Sequence, residues 1–318
     1  MLQYIVIMLG KQSVSFCYHA QHTDTDVDLI PLETLKSAII FAMKENLNIQ
    51  FVYPPYELPE EYLTAIDTID HSNIMPQGLL GFSDVVVLNG INDAVEEGKT
   101  VVLRLTLKEL EDSVDTVKSL LSKVPRVNIM LTDITQFKEH DFDQYQAILD
   151  VLVTEMATLY FQGSVVQLNV LTDRLLLDKM NNCGAGDTSV TLAPNGRFYV
   201  CPAFYYDAPE SDIGNLSDGL HVRNPQLYKL DHAPLCRWCD AYQCRRCVWL
   251  NYKQTMDVNT PSHEQCVVAH IERNATRKLL GLLQERGMAT NLADIKEIDY
   301  LDPINIFEQW KLEKLWGK

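Results

Sequence analysis

The stretch "TVVLRLTLKELEDSVDTVKSLLSKVPRVNIML", residues 100 to 131, contains the repeating unit that decides the fold. Its two ends, "TVVLRL" and "VNIML", are almost continuously apolar, which is typical of strands covered on both faces of a sheet. Between them, apolar residues recur every three or four positions at Leu110, Val114, Val117 and Leu121, which predicts an amphipathic helix. The stretch is therefore predicted to form a strand, helix and strand of a parallel sheet.

Units of this kind recur along the first 180 residues. The predicted strands share the same apolar texture and lie at residues 3–9, 48–53, 84–88, 100–105, 127–131 and 165–170. The helical pattern recurs from Leu32 to Met43 and from Tyr145 to Met156. Six β/α units predict an α/β fold with a parallel sheet. Periodicity alone leaves open whether this sheet closes into a partial barrel.

Composition narrows the class of protein. The chain has 318 residues, 47% of them hydrophobic, and a formal net charge of −16. This charge repels polyanions, so we do not expect nucleic acid as a partner. No apolar run reaches the roughly eighteen residues of a membrane span, and the first residues lack a basic leader and a cleavage site. We therefore expect a cytoplasmic protein without a membrane partner.

After residue 182 the alternation of apolar runs and helical patterns ends, and this part of the chain contains seven of the eight cysteines. "TSVTLAPNGRFYVC" predicts a hairpin, because Asn-Gly accepts the positive φ of a tight turn. The cysteines follow C-x12-G-x4-C, then C-x2-C-x4-C-x2-C in "CRWCDAYQCRRC", then one more after eighteen residues. Spacings of two residues favour a metal over disulfides in a chain of this size. Seven thiols favour two metal sites over one tetrahedral zinc site, although thiolates accept zinc or iron.

This order of cysteines resembles the SPASM domain of radical SAM peptide maturases, whose pattern is C-x(9–15)-G-x4-C, C-x2-C-x5-C-x3-C and a final C. The chain is one residue shorter in each of the last two spacings of the block. The resemblance implies two four-iron four-sulfur (4Fe-4S) clusters. One would be held by Cys236, Cys239, Cys244 and Cys266. The other would be held by Cys183, Cys201 and Cys247, with its fourth position open or taken by water, a substrate thiol or a residue such as Asp187.

The radical SAM motif itself, C-x3-C-x2-C, is incomplete in this chain. In "GKQSVSFCYHA", Cys17 stands at the third position, whereas Gly10 and Val14 take the first two, and neither of these side chains binds iron. The family's glycine-rich "GGEP" is replaced by "VYPPYELPEE", in which Pro54 and Pro55 have no N–H to donate. We therefore expect a partial (β/α)6 TIM-like barrel of the radical SAM type that does not bind S-adenosylmethionine (AdoMet).

Over essentially its whole length the chain resembles maturases of CXXX-repeat peptides more than maturases paired with ATP-grasp ligases, through "SFCYHA", "FVYPPYELPEEY" and the C-terminal cysteine block. The resemblance implies a degenerate radical-SAM-like β/α domain at residues 1–180, a SPASM-type cluster-binding domain at 181–270 and a helical tail at 271–318. It implies maturation of a ribosomally made, cysteine-containing precursor peptide with auxiliary clusters and without radical SAM chemistry. Two alternatives stay open: a non-catalytic peptide-binding or electron-transfer subunit of a separate maturation enzyme, and a zinc-stabilised interaction module. Whether the chain is an enzyme stays open, and no catalytic residue is assigned.

Two smaller groups of residues have two interpretations each. Cys17, His19 and His22 form C-x-H-x2-H, which is either a small metal site or a buried thiol beside solvated histidines. A run of acidic residues either binds a basic peptide or forms the solvated start of a helix; its members are Glu57, Glu60 and Glu61.

Overall fold

The computed structural model of the chain describes residues 2–20, 28–79, 83–90, 98–176, 183–239 and 247–289, together with residues 241, 244, 292 and 295. Contacts divide the chain into two compact units. The first comprises residues 1–92, 99–104 and 183–228, and the second comprises residues 93–98, 105–182 and 229–318. Among the described residues, no helix is long and apolar enough to span a membrane.

Strands and helices alternate over the first part of the chain, and helices dominate the last. The strands are β1 Tyr4–Met8, β2 Asn48–Val52, β3 His71–Pro76, β4 Val85–Asn89, β5 Thr100–Leu105, β6 Arg126–Leu131, β7 Gln167–Leu168, β8 Ser189–Leu192, β9 Phe198–Tyr199, β10 Gly214–Asn215 and β11 Gly219–Leu220. The α-helices are α1 Leu32–Glu45, α2 Glu60–Ile66, α3 Leu107–Asp112, α4 Val114–Leu121, α5 Glu139–Phe161, α6 Asn169–Leu176, α7 Pro202–Asp207, α8 Val248–Thr255 and α9 His263–Glu285.

The first unit is built on a sheet with the strand order β5-β4-β3-β2-β1-β8-β9. β1 pairs in parallel with β2 on one side and with β8 on the other, and β3, β4 and β5 continue the parallel pairing. Ile5 and Ile7 of β1 and Phe51 of β2 have no exposed surface. The predicted α/β fold with a parallel sheet is confirmed, and closure into a partial barrel stays a prediction.

The predicted hairpin is also confirmed, and it forms the edge of this sheet. β9 runs antiparallel to β8, and the N–H of Ala193 donates to the carbonyl of Arg197 at 3.0 Å across the turn. Gly196 has a φ of +76°, a backbone conformation that glycine adopts without steric cost. The strand β9 follows this turn, and Cys201 lies two residues after its end.

In the second unit, β6 and β7 pair in parallel, and α5 and α6 both pack against α9. The apolar side chains of α9, such as Ile271 and Leu279, are buried, and so are several of its polar ones. A helix that buries polar groups needs partners for them, because an unpaired polar group in the core is costly.

Of the strand predicted at residues 165–170, only Gln167–Leu168 forms, and the helix α6 begins at Asn169. The side-chain amide of Asn169 bonds to both the N–H and the carbonyl of Ile129, at 3.0 and 3.1 Å. Its oxygen also accepts from the N–H of Val170 at 2.8 Å, inside the first turn of α6. The side chain of Asn169 thus makes the two hydrogen bonds to Ile129 that the backbone of a paired strand would make. The backbone of Asn169 instead begins α6.

Two other elements differ from the sequence-based expectation. The single helix predicted across residues 110–121 is interrupted at Ser113, whose hydroxyl donates to the carbonyl of Glu109 at 2.6 Å. This side-chain hydrogen bond competes with the backbone hydrogen bonds that would continue the helix, as serine side chains often do. The strand β3 was not predicted, because its sequence, "HSNIMP", begins with polar residues and ends in proline.

The compact units do not coincide with the predicted domain boundaries, since residues 183–228 belong to the first unit and the rest of the cysteine-rich region to the second. Compactness alone does not show where a cluster-binding module begins, so the division at residues 180 and 270 stays a prediction. Of the predicted tail, residues 271–285 form the end of α9. Nearly all of the tail beyond residue 289 lies outside the described residues.

Candidate metal centre

Five of the seven predicted metal ligands lie in the second unit. Cys236 is buried, and the others, Cys239, Cys244, Cys247 and Cys266, are half-buried. Cys247 directly precedes α8, and its sulfur accepts from the N–H of Leu250 at 3.5 Å. Cys266 lies in the first turn of α9. Local helix starts therefore position Cys247 and Cys266, and a short 3₁₀ helix, Cys236–Trp238, carries Cys236 and ends at Cys239.

The first turn of α9 is fixed by polar contacts. The hydroxyl of Ser262 accepts from the N–H of Gln265 at 3.4 Å and caps the helix. The Gln265 side chain then donates to Asn251 of α8 at 3.2 Å, and both residues are buried. These contacts hold the first turn of α9, which includes Cys266, against α8.

A histidine that we did not predict lies among these cysteines. His270 is 1% exposed, and its Nε2 lies 3.9 Å from Sγ of Cys239. Its Nδ1 lies 2.7 Å from the carbonyl oxygen of Cys266, one helical turn earlier. The signal for it was the spacing of four residues between Cys266 and His270, which places both on one face of a helix.

The thiol of Cys244 lies in a strongly perturbed environment. Burial is the main cause that raises its pKa above the ordinary value, and the neighbouring Cys236 and Cys239 raise it further. Arg174 acts in the opposite direction. The thiolate form, which is the form that binds metal, thus needs a compensating positive charge at this position.

A buried ion pair lies beside Cys244. Arg174 of α6 and Glu272 of α9 approach to 3.0 Å, with side chains 1% and 8% exposed. Tyr145 of α5 donates its hydroxyl to the same carboxylate at 2.9 Å. The guanidinium also donates to two backbone carbonyls, while its Nε is buried and has no hydrogen-bond partner in the described part of the chain. Three helices therefore meet at one charged contact.

The other two predicted ligands lie in the first unit. Cys183 is exposed, and its carbonyl accepts from the hydroxyl of Ser189 at 3.0 Å. Cys201 is half-buried and directly precedes α7. Asp187, a suggested fourth ligand, lies in a tight turn where its N–H donates to the carbonyl of Gly184 at 2.9 Å. The set of Cys183, Cys201 and Cys247 stays a prediction.

None of the eight cysteines forms a disulfide. Within the described residues, no group of three or more His, Cys, Asp or Glu side chains is arranged to hold a metal ion. The donor set of the second unit nevertheless fits a soft metal, because thiolate and imidazole are the ligands that zinc and iron–sulfur clusters use.

The loop after β1, where the radical SAM motif would stand, is closely packed. Ser13 and Val14 are 2% and 3% exposed. The hydroxyl of Ser13 accepts from the N–H of Gly10 at 3.1 Å and donates to the carbonyl of Val52 at 2.8 Å, and Val14 donates to the carbonyl of Tyr53. These hydrogen bonds satisfy the backbone N–H groups of Gly10 and Val14, and the buried side chains of Ser13 and Val14 fill the space inside the loop.

Position 10 has little room for a side chain. A Cβ on Gly10 would lie 3.1 Å from the hydroxyl oxygen of Tyr56 and 3.3 Å from the carbonyl oxygen of Asp28. The Tyr56 hydroxyl is buried and has no hydrogen-bond partner among the described residues. A cysteine at this first motif position would need its neighbours to shift.

Cys17 and His19 contact each other at the end of the same loop. Sγ of Cys17 lies 2.9 Å from Nδ1 of His19, and the His19 ring stacks on Tyr206 with 5.4 Å between ring centroids. Arg104 clamps the segment by donating to the carbonyls of Cys17 and His19 at 3.0 and 2.7 Å and to Asn89 at 2.8 Å. His22, the third member of the predicted motif, lies outside the described residues.

The thiol of Cys17 is kept protonated. Although the residue as a whole is only half-buried, burial of the thiol raises its pKa to about 11, against the opposing effect of a hydrogen bond from the His19 backbone. A protonated thiol donates to the imidazole nitrogen and is a poor metal ligand and a poor nucleophile at neutral pH. These contacts agree with the interpretation of Cys17 as a buried thiol, although His19 is buried too.

Two of the three predicted acidic residues line a groove beside α1 and α2. The groove has a volume of about 910 Å³ and is lined largely by apolar atoms, including Ile40 and Met43, which are 52% and 61% exposed. Glu60 and Glu61 also form the first turn of α2, where negative charge favours the helix. Their position is consistent with both interpretations, so peptide binding here stays a prediction.

Comparison with solved structures shows which known folds this chain is similar to. No family model matches the chain, and no curated protein matches it. Histidine-tagged anSMEcpe with bound AdoMet aligns with a TM-score of 0.58 at 13% identity, over 92% of this chain and 97% of that one. Native anSMEcpe with AdoMet and the Cp18Cys peptide aligns with a TM-score of 0.55 at 11% identity, over 92% and 100%.

A third structure, SuiB of Streptococcus suis bound to S-adenosylmethionine, has a TM-score of 0.44 at 11% identity, over 70% of this chain and 66% of that one. This similarity is too low to carry an argument. Because anSMEcpe binds AdoMet, the comparison does not support our expectation that this chain binds none, and that expectation stays a prediction. What the alignment shows is an α/β fold with a parallel sheet, similar to that of radical SAM enzymes.

Proposed function

We propose that this chain is a peptide-maturation protein that holds iron–sulfur clusters and has no radical SAM chemistry of its own. The observation that carries the proposal is the group of cysteines around α8 and α9, in which Cys244 is perturbed by both Cys236 and Cys239. Thiols this close raise one another's pKa, and the unfavourable charge is relieved when a cation binds them. The fold of the first unit supports a relation to the radical SAM enzymes.

The residues of the second unit have distinct parts in this proposal. Cys236, Cys239, Cys244 and Cys266 hold one cluster, and α9 orients Cys266 through its capped first turn. Arg174 supplies a fixed positive charge that favours the Cys244 thiolate. When bound, an iron–sulfur cluster supplies electron transfer or an open iron that accepts a thiolate. Cys183, Cys201 and Cys247 are proposed for the second cluster, with its remaining position filled by Asp187, water or a substrate thiol.

The packed loop after β1 supports the absence of radical chemistry. Two of the three motif positions lack a thiol, and position 10 is too tightly surrounded for a side chain without a shift of Tyr56 or Asp28. The remaining thiol, Cys17, is protonated and bonded to His19. A site for the radical-generating cluster would need donors that this loop does not supply.

A peptide is the proposed partner. The supporting observation is the solved structure of native anSMEcpe, which holds the Cp18Cys peptide. A cysteine-containing peptide also suits an open iron, because a substrate thiolate completes its coordination. The alternative in which the chain binds the peptide for a separate enzyme shares this site and differs only in where the reaction takes place.

Metal analysis tests the proposal directly. Iron, sulfide and zinc are measured on anaerobically reconstituted protein and on the Cys266→Ala variant, with Cys17→Ala as the matched control. We expect about half of the iron to be lost in Cys266→Ala and none in Cys17→Ala, because each cluster depends on its own thiolates. Protein that holds zinc alone, without the visible absorption of thiolate-bound iron, would refute the iron–sulfur proposal and favour the zinc-stabilised module.

A second experiment tests the absence of radical chemistry. Reconstituted protein is incubated with AdoMet and a strong reductant, and 5′-deoxyadenosine is measured by chromatography. We expect no product above the level of a heat-denatured sample, because the loop after β1 lacks two of three cluster ligands. Catalytic formation of 5′-deoxyadenosine that persists in Cys17→Ala would show that another part of the chain carries this activity.

A further inference from the structure

We propose that the groove between α1 and α2 binds a basic, amphipathic helix of the precursor peptide. The inference rests on the proposed function for the identity of the partner, and it adds the place on the chain where that partner docks. It follows from the shape of the groove, from the exposure of its apolar side chains and from the charge at its rim.

The groove follows one face of α1. Four of the side chains that line it lie three or four residues apart, at Leu32, Lys36, Ile40 and Met43. Side chains at this spacing share one face of a helix. From Leu32 to Met43 this face is about 16 Å long, at a rise of about 1.5 Å per residue. The groove is therefore long enough for about three turns of a docked helix.

This face of α1 is separate from the one that packs in the interior. The buried side chains of α1 are Leu35, Ala38, Ile39 and Ala42. Ile40 and Met43 lie outside this buried set, and both are more than half exposed. Exposed apolar side chains that line a concave surface with a charged rim are typical of an interaction site.

The uncharged polar side chains of the groove already have partners. The hydroxyls of Thr64 and Thr68 donate to the carbonyls of Glu60 and Ala65, at 2.9 and 2.7 Å, within α2 and its last turn. A site for a small polar ligand needs several polar groups that converge on it. An amphipathic helix instead needs an apolar surface on which its apolar face can lie. The lining of this groove favours the helix.

The charge at the rim favours a basic partner. Glu60 and Glu61 are exposed and line the groove. Lys36 lines it too, but it is paired with Glu33 at 2.8 Å, so its positive charge is offset. A second copy of this chain would bring the same negative charge to the contact, and the chain as a whole has a net charge of −16. Such a contact is unfavourable, whereas a basic helix is attracted.

The helix α1 also contacts the hairpin that leads to a proposed cluster ligand. The rings of Phe41 in α1 and Phe198 in β9 lie 5.4 Å apart between centroids, and Cys201 follows β9. A peptide docked on α1 is thus held beside the part of the first unit that carries Cys201. Docking of one segment raises the effective concentration of the rest of the peptide at this place.

Fluorescence anisotropy of a labelled peptide tests the groove on the full chain. The probe is a designed amphipathic peptide of about fourteen residues, with leucine on one face and lysine on the other. We expect it to bind, and we expect a peptide with glutamate in place of lysine not to bind. The double variant Ile40→Ser with Met43→Ser should raise the dissociation constant about tenfold or more, because it removes the apolar surface. Leu63→Ser, which changes an exposed apolar residue of α2 outside the groove, should leave it unchanged.

A second pair of variants tests the charge. Glu60→Gln with Glu61→Gln should raise the dissociation constant several-fold at low salt and weaken its dependence on salt. Glu139→Gln with Glu285→Gln makes the same change in net charge at exposed positions of the second unit, and it should leave the affinity nearly unchanged. Equal effects of the two pairs would overturn the part assigned to the rim, because they would show attraction by net charge alone.

Two further results would overturn the docking site. One is equal affinity of the wild-type protein and the variant of Ile40 and Met43. The other is a wild-type dimer that this variant loses in sedimentation, which would show that a second copy covers the groove. Iron is measured on the same samples, so that the two proposals can fail separately. Protein that holds clusters but binds no peptide at the groove overturns only the docking site, and protein that binds the peptide there without iron overturns only the cluster-based function.

Discussion

Removal of Glu272 should destabilise the second unit by far more than removal of a surface charge. In Glu272→Ala, the guanidinium of Arg174 remains 1% exposed but loses the carboxylate at 3.0 Å. An uncompensated buried charge costs about 3–5 kcal/mol. The hydroxyl of Tyr145 loses its acceptor in the same variant, so the upper part of this range is expected.

The chain contains a matched control on the same helix. Lys278 of α9 pairs with Asp150 of α5 at 2.7 Å, but these side chains are 55% and 42% exposed. Exposed pairs contribute about 0–1 kcal/mol, because water already solvates both charges. Lys278→Ala should therefore move the urea midpoint of unfolding only slightly, whereas Glu272→Ala should lower it strongly, as followed by circular dichroism.

A double variant separates charge from packing. Arg174→Met combined with Glu272→Leu removes both charges and keeps the volume, and such replacements are often neutral or stabilising. We expect it to be more stable than Glu272→Ala alone. Equal midpoints for Glu272→Ala and Lys278→Ala would refute the reasoning, because they would show that water reaches Arg174 at no cost.

Three further predictions concern the first unit. Iodoacetamide should alkylate Cys17 at pH 8 much more slowly than the exposed Cys183 in metal-free protein. The Cys17 rate should rise about tenfold per pH unit up to about pH 11, because only the thiolate reacts and the pKa of this thiol is raised to about 11. Mass spectrometry of each peptide measures the rates, and a flat pH profile would contradict the prediction. Arg104→Ala should speed alkylation of Cys17 by up to about tenfold, since each hydrogen bond from a charged group contributes about 1.5 kcal/mol or more, and loss of the Arg104 charge, which lowers the Cys17 pKa, offsets only part of this gain; a slower rate would mean that the charge matters more than the clamp. Gly186→Ala should lower the urea midpoint, because its Cβ would lie 2.6 Å from the ring of Tyr228 and its φ is +79°; an unchanged midpoint would show that neither the ring nor the positive φ constrains this position.

Most of the first unit could be predicted from the sequence because its strands are covered on both faces. β5 is apolar at every position except Thr100 and Arg104, and β2 is apolar at three of its five positions, a pattern that indicates strands covered on both faces. β3 escaped prediction because only its middle residues, from Asn73 to Met75, are buried. Its position is set by the neighbouring strands rather than by its own composition.

The helix α6 shows a different limit of prediction. Residues 165–170 have the composition of a strand, yet Asn169 ends it by bonding to both backbone groups of Ile129. The partner lies 40 residues away, so no local pattern contains this information. A short window of sequence indicates only the local preference for strand or helix, whereas the hydrogen bonds between Asn169 and Ile129 join residues far apart in the chain.

The candidate metal centre was predictable in its cysteines and not in its histidine. Cysteine pairs two residues apart are a strong metal signal. His270 is one of eight histidines, and its relevance depends on the direction of α9 relative to the loop that carries Cys239. The spacing from Cys266 was visible in the sequence, but it becomes a signal only when the helix and its buried face are known.

The place of β1 between β2 and β8 has a consequence for biosynthesis. One edge of β1 finds its partner about 40 residues later, but the other edge pairs with β8, which begins at Ser189. At a translation rate of about 5–20 residues per second, that second edge waits roughly 10–35 seconds for its neighbour to be made. An apolar strand with an open edge invites pairing with other nascent chains during this interval. Chaperone capture of the growing polypeptide should therefore matter most before β8 has left the ribosome.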